Sequence, residues 1–223
     1  MTGFSILTKR VAYEYNVDHL RRTIVSIKSN FKGLQQEFLL SYLFRRYCRK
    51  QSEDYHKEIE SLFTELTETI KNKEYKFVVS YWYEFYKKAN KEIPDSILNA
   101  QLYLSNNDSI NLRSLIQNDK LNIVDFWASW CSPCIKQINK YNDNIGTINN
   151  RYNVVFISLD EESDMHLKSS NKLKIKSYQL SPFNTKYVKE FFAIPPIPRT
   201  VLIANKIIKE CDFDFNSFLE IGR

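Results

Sequence analysis

The chain has 223 residues, 43% of them hydrophobic, and a net charge of +6 from 32 Lys and Arg against 26 Asp and Glu. That length suffices for two modest domains, each with a core of its own. The charge excess divides evenly, +3 in residues 1–110 and +3 in the remainder, which argues against a dedicated nucleic-acid face. No apolar run reaches the length of a signal h-region or a membrane span.

The first 92 residues read as helix. Segments 18–30, 33–50, 53–72 and 74–89 carry apolar side chains at three- and four-residue spacing, as in Leu39, Tyr42, Leu43 and Tyr47 or Ile59, Leu62, Phe63, Leu66 and Ile70. Short connections between them predict a small all-α bundle. An aromatic stripe in the last segment, Phe77, Tyr81, Trp82, Phe85 and Tyr86, fits a buried face better than a groove for a client. Residues 90–94 form a short polar link ending in proline, which puts the boundary between a helical domain at 1–92 and a second domain at 93–223.

The second domain changes period. Leu102-Tyr-Leu104 and Ile110-Asn-Leu112 flank the turn-prone Ser105-Asn-Asn-Asp108 and predict a β-hairpin. A strand then runs through Val124-Asp-Phe-Trp-Ala-Ser-Trp-Cys-Ser-Pro-Cys134 into two cysteines. Thiols at this spacing can close a disulfide only across a tight turn, which the first turn of a helix provides and Pro133 tolerates. At a helix N-terminus the unpaired N–H groups favour the thiolate, so Cys131 is the candidate nucleophile and Cys134 the resolving thiol. A zinc site would need two further ligands at a recognisable spacing, and Cys48, Cys211, His19, His56 and His166 are scattered. A purely structural disulfide would close almost no loop and add little stability. A thiol peroxidase would need its reactive cysteine in a separate activating pocket.

The residues Asp125, Phe126, Trp127, Ala128, Trp130, Cys131, Pro133 and Cys134 resemble the active-site strand and helix start of thioredoxins. The second landmark of that family is a cis-proline just before a strand. Pro195, Pro196 and Pro198 are the candidates, with Pro198, directly ahead of Thr200 to Ile203, the best match. A longer central insertion, with a further strand at 153–160 and a polar stretch at 161–176, is similar to the TlpA/ResA-like branch of thiol-disulfide oxidoreductases. The resemblance implies an α/β thioredoxin-like fold, a central mixed β-sheet flanked by helices with an N-terminal β-hairpin, preceded here by the all-α domain.

It also implies roles. Asp125 matches a buried carboxylate that moves protons to and from the resolving thiol, and its apolar neighbours Ile123, Val124, Phe126 and Trp127 favour burial. Trp130, Ser132, Pro133 and Ile197 would form the surface that a client meets. The implied activity is thiol-disulfide exchange on client proteins with disulfides, supplied by an upstream thiol reductant, with no cofactor beyond the Cys131–Cys134 pair and no metal. Ser132-Pro133 is nearer the dipeptide of reducing thioredoxins than that of strong oxidants. The alternative is a binding module in which the thioredoxin-like domain mainly presents the helical one. The branch is largely periplasmic or cell-envelope, reconciled with this sequence by a removed signal or lipid anchor. Cytoplasmic residence is the other reading. Abundant Asn, Lys and Ile with only four glycines suits an AT-rich bacterial genome.

Two local departures accompany the resemblance. Residues 135–141 contain no proline, so the motif helix is expected to run straight. The last hairpin turns on Ala204-Asn-Lys206, where Asn205 is the residue best suited to a positive φ. Lys168, Lys172, Lys174 and Lys176 form a local basic run.

Overall fold

The computed structural model describes residues 16–50, 56–88, 91–104, 108–194 and 196–221. The chain forms two compact units, Met1–Tyr86 and Lys87–Arg223. Residues 87–92, assigned to the helical domain by sequence, fall with the second unit. The cause is local pairing: Glu92 bridges Ile207, and the Ile93 N–H donates to the Lys206 carbonyl at 2.8 Å.

The first unit holds α1 (Val17–Asn30), α2 (Gly33–Lys50), α3 (His56–Thr69) and α4 (Lys73–Tyr86). The expected start at 53 and end at 89 lie outside the described residues. Helix starts follow from capping chemistry. The Asn16 side chain accepts the His19 N–H at 2.8 Å, and the Asn72 side chain accepts those of Glu74 and Tyr75, both at 3.0 Å. Leu20, Leu43, Phe44, Tyr47, Ile59, Leu62, Leu66 and Val79 supply the buried stripes, each worth about 1.5–3 kcal/mol when fully buried. In the α4 aromatic stripe, Trp82, Phe85 and Tyr86 are buried and Phe77 is exposed.

The second unit contains α5 (Asp95–Leu98), β1 (Gln101–Tyr103), β2 (Ser109–Asn111), α6 (Leu112–Leu115), β3 (Leu121–Trp127), α7 (Ser132–Asp143), α8 (Ile145–Arg151), β4 (Tyr152–Ser158), α9 (Ser163–Leu173), β5 (Ser177–Leu180), α10 (Pro182–Phe191), β6 (Arg199–Ala204), β7 (Ile207–Glu210) and α11 (Phe215–Ile221). Its strands form one mixed sheet in the order β2-β1-β5-β4-β3-β6-β7. β3 pairs in parallel with β4 and antiparallel with β6, opposing Asp125 to Phe156 on one side and to Thr200 on the other. β1 and β2 form the expected antiparallel hairpin, its tip at 105–107 outside the described residues, and β1 continues the sheet against β5.

β3 is buried along all but its first residue, as a central strand covered on both faces must be. Alternation then sorts its side chains. Ile123 and Trp127 join a cluster with Cys131, Cys134, Ile138 and Tyr141 of the α7 region and Phe215 and Leu219 of α11. Phe126, of the opposite parity, meets the Phe192 ring at 5.1 Å. α7 is a single uninterrupted helix, as the absence of proline after Cys134 predicts. In the β6–β7 turn both Asn205 (φ 49°) and Lys206 (φ 63°) are left-handed, as the type I′ form of a two-residue hairpin turn requires.

Candidate active site

Cys131 and Cys134 are joined by a disulfide with Cα atoms 5.3 Å apart. Cys131 is the N-cap of α7, its Sγ 3.3 Å from the Cys134 N–H, and Pro133 stands in the first turn, where its missing N–H costs nothing. The two sulfurs are not equivalent. Cys131 keeps 4% exposure and Cys134 none, so an incoming thiolate reaches Cys131 first. Beside them Trp130 is 70% exposed, and Ser132 and Pro133 are exposed as well. Trp127, by contrast, is wholly buried, its Nε1–H donating to Ser177 Oγ at 2.9 Å.

The cis peptide bond lies at Ile197–Pro198, the best-matched of the three proline candidates; Pro195 is outside the described residues. Ile197 packs against the cluster that holds both cysteines. The next residue, Arg199, is 1% exposed. Its Nη1 lies 2.9 Å from Asp212 Oδ1, and its Nη2 donates to the Ala193 carbonyl at 3.1 Å. The guanidinium thereby ties the stretch before Pro198 to the segment after β7.

Asp125 is fully buried. Its Oδ1 accepts from Thr200 Oγ1–H at 2.6 Å and from Gln137 Nε2–H at 2.8 Å, and its Oδ2 has no hydrogen-bond partner. Burial pushes the carboxyl up to about 7, and the Thr200 and Gln137 hydrogen bonds pull the other way by favouring the charged form. Gln137 is itself buried, and its Oε1 accepts from Asn216 Nδ2–H at 2.9 Å.

A second carboxylate steadies the loop ahead of Cys131. Asp160, 5% exposed, accepts both the N–H (3.0 Å to Oδ2) and the hydroxyl (2.8 Å to Oδ1) of Ser129, with Ser158 Oγ–H also donating to Oδ2 at 2.8 Å. Cys48 and Cys211 are also buried, and burial pushes the Cys48 thiol well above its ordinary value. Gln137, Thr200, Asn216 and Asp160 were not singled out from sequence as site residues. For Gln137 a signal existed: a glutamine three residues past Cys134 falls on the stripe that Ile138 and Tyr141 bury.

Residues 118–207 match the family model described as thioredoxin-like. A thioredoxin of Coprinus comatus is 32% identical over 74 residues, covering 32% of this chain and 64% of its own. A thioredoxin-T of Drosophila melanogaster is 30% identical over 60 residues, covering 27% and 38%. The chain thus spans less than two thirds of either curated relative. Among solved structures, a thioredoxin-like protein from Bacteroides caccae aligns with TM-score 0.64 at 16% identity, over 92% of this chain and 75% of that one, a likeness of fold. With the mixed sheet, the disulfide at the start of α7 and the family match in agreement, the chain carries a thioredoxin-like domain preceded by a helical region, with four helices among its described residues.

Proposed function

We propose that the protein is a thiol-disulfide oxidoreductase that reduces disulfides in client proteins. The observation that carries the reading is the Cys131–Cys134 disulfide closing the first turn of α7, with one sulfur slightly accessible and the other fully buried. In the reduced form the Cys131 thiolate attacks one sulfur of a client disulfide, and the other client sulfur leaves as a thiolate and takes a proton from solvent. Cys134 gives its thiol proton to the Asp125 carboxylate and attacks Cys131 Sγ. The mixed disulfide breaks, the second client sulfur leaves as a thiolate and is protonated from solvent, Asp125 later returns its proton to solvent, and two electrons have passed from protein to client. An upstream thiol reductant restores the pair.

A carboxyl titrating near 7 suits the proton step, since it can both take and return a proton at working pH. Trp130, Ser132 and Pro133, exposed beside Cys131, and Ile197, ahead of Pro198, form the surface that receives the client chain. A cell-envelope location belongs to the same reading through the TlpA/ResA-like resemblance. No described helix is long and apolar enough to cross a membrane. The test is insulin reduction under a thiol donor. Turnover by the intact protein and none by Cys131→Ser is expected, and equal turnover by both would refute the assignment.

A further inference from the structure

The proton step needs one oxygen of Asp125 to be free, and the side chains around it decide which. Oδ1 receives two donors, the Thr200 hydroxyl at 2.6 Å and the Gln137 amide at 2.8 Å. An oxygen held by two N–H or O–H groups acts as an acceptor and has no room for a proton of its own. Oδ2 is buried and unpartnered. The neutral acid therefore carries its proton on Oδ2.

The orientation of the Gln137 amide matters equally. Its NH2 group points to Asp125 and Thr200 Oγ1, at 2.8 and 3.3 Å, because its carbonyl is claimed from behind by Asn216 Nδ2–H at 2.9 Å. Turned over, the amide would set Oε1 against the carboxylate and Nε2–H2 against the Asn216 NH2 group, two repulsive contacts in place of two hydrogen bonds. Asn216, from α11, thus locks a residue of α7 that in turn holds a residue of β3.

We infer that Gln137 is a positioning residue for the proton step: it commits Oδ1 of Asp125 to accepting hydrogen bonds and leaves Oδ2 as the oxygen that takes and gives the proton. The inference rests on the exchange reaction proposed above. Around Asp125 stand Thr200 from β6, Phe156 from β4 and Gln137 from α7, with Asn216 from α11 behind Gln137. None of these side chains titrates, and Arg199, beside Thr200, is paired with Asp212. The Gln137 hydrogen bond favours the ionised carboxyl against burial, so its removal moves the titration upward.

The experiment follows the Asp125 carboxyl by carbon NMR of aspartate-labelled protein across pH, in the intact protein, Gln137→Met and Asn216→Ala. Methionine keeps the volume and loses the amide. The midpoint should rise by about one pH unit or more in Gln137→Met, the size expected for one hydrogen bond to a charged group. It should rise by a smaller amount in Asn216→Ala, where the amide loses its lock. An unchanged midpoint in either folded variant overturns the inference, and Asn216→Ala, at a half-buried position, decides the matter if Gln137→Met does not fold. Insulin reduction by the intact protein is measured alongside. An inactive protein whose midpoint still moves would remove the exchange reading and leave the hold of Gln137 on Asp125 standing.

Discussion

Replacing Asp125 with asparagine should change how stability depends on pH, by an amount the structure sets. The buried carboxyl titrates at about 7 in the folded protein against an ordinary value of 3.8. Below about 3.8 it is protonated in both folded and unfolded chains, and its contribution is fully present. Between there and about 7 the unfolded chain ionises while the folded one stays neutral, so unfolding releases a proton and stability falls as pH rises. Above about 7 the loss is complete. A shift of roughly three units at 1.36 kcal/mol each makes that loss about 4 kcal/mol. Asparagine cannot ionise; it carries a fixed cost for its own buried NH2 group, but that cost does not vary with pH. Urea unfolding of the oxidised proteins from pH 4 to 8 isolates the term as the difference between the two curves. That difference should move by about 4 kcal/mol in favour of Asp125→Asn as pH rises. A flat difference across the range, with both proteins folded, would refute the argument that Asp125 is buried without a charged partner.

Other expectations follow from the same geometry. In the reduced native protein, iodoacetamide should label Cys131 well ahead of Cys48, Cys134 and Cys211, because only Cys131 combines a helix N-terminus with access; mass mapping that finds Cys48 labelled first would contradict this. Trp130→Ala should raise KM for a protein disulfide about tenfold and leave a small aromatic disulfide nearly unaffected, since an exposed indole beside the nucleophile serves client contact. Arg199→Met should cost about 3 kcal/mol in urea unfolding, because it removes a buried ion pair to Asp212 and the hydrogen bond to the Ala193 carbonyl. A loss below about 1 kcal/mol would reduce that pair to the rank of a surface ion pair.

What the sequence shows and what it hides divide by distance along the chain. The cysteine pair, Pro133 and the apolar run around Asp125 are contiguous, so a local reading recovers the disulfide turn and the burial of the carboxyl. The hairpin at 101–111 was equally local. The partners of Asp125 were not: Gln137 stands 12 residues away, and Gln137 in turn reaches Thr200 across 63 residues and Asn216 across 79. Asp160 holds Ser129 across 31. These contacts exist only once β3, β6, α7 and α11 have packed; the helical stripe of α7 turns Gln137 inward but does not say which groups it meets. Lys206 is a smaller case. Its positive φ comes from the geometry of a two-residue turn, and no lysine preference would have suggested it.

The hairpin also bears on how the molecule is handled. β5 is buried along its whole length, and β1 occupies the side of it away from β4, matching Leu102 to Leu180 and Tyr103 to Gln179. The stretch that matches the thioredoxin-like model begins only at residue 118. Trimming the protein to that stretch would strip β1 away and uncover a row of unpaired N–H and C=O groups on an otherwise buried strand, a template onto which a second copy can add its own strand. Truncations cut there are expected to precipitate, whereas versions that start before residue 93 retain their own guard against stacking.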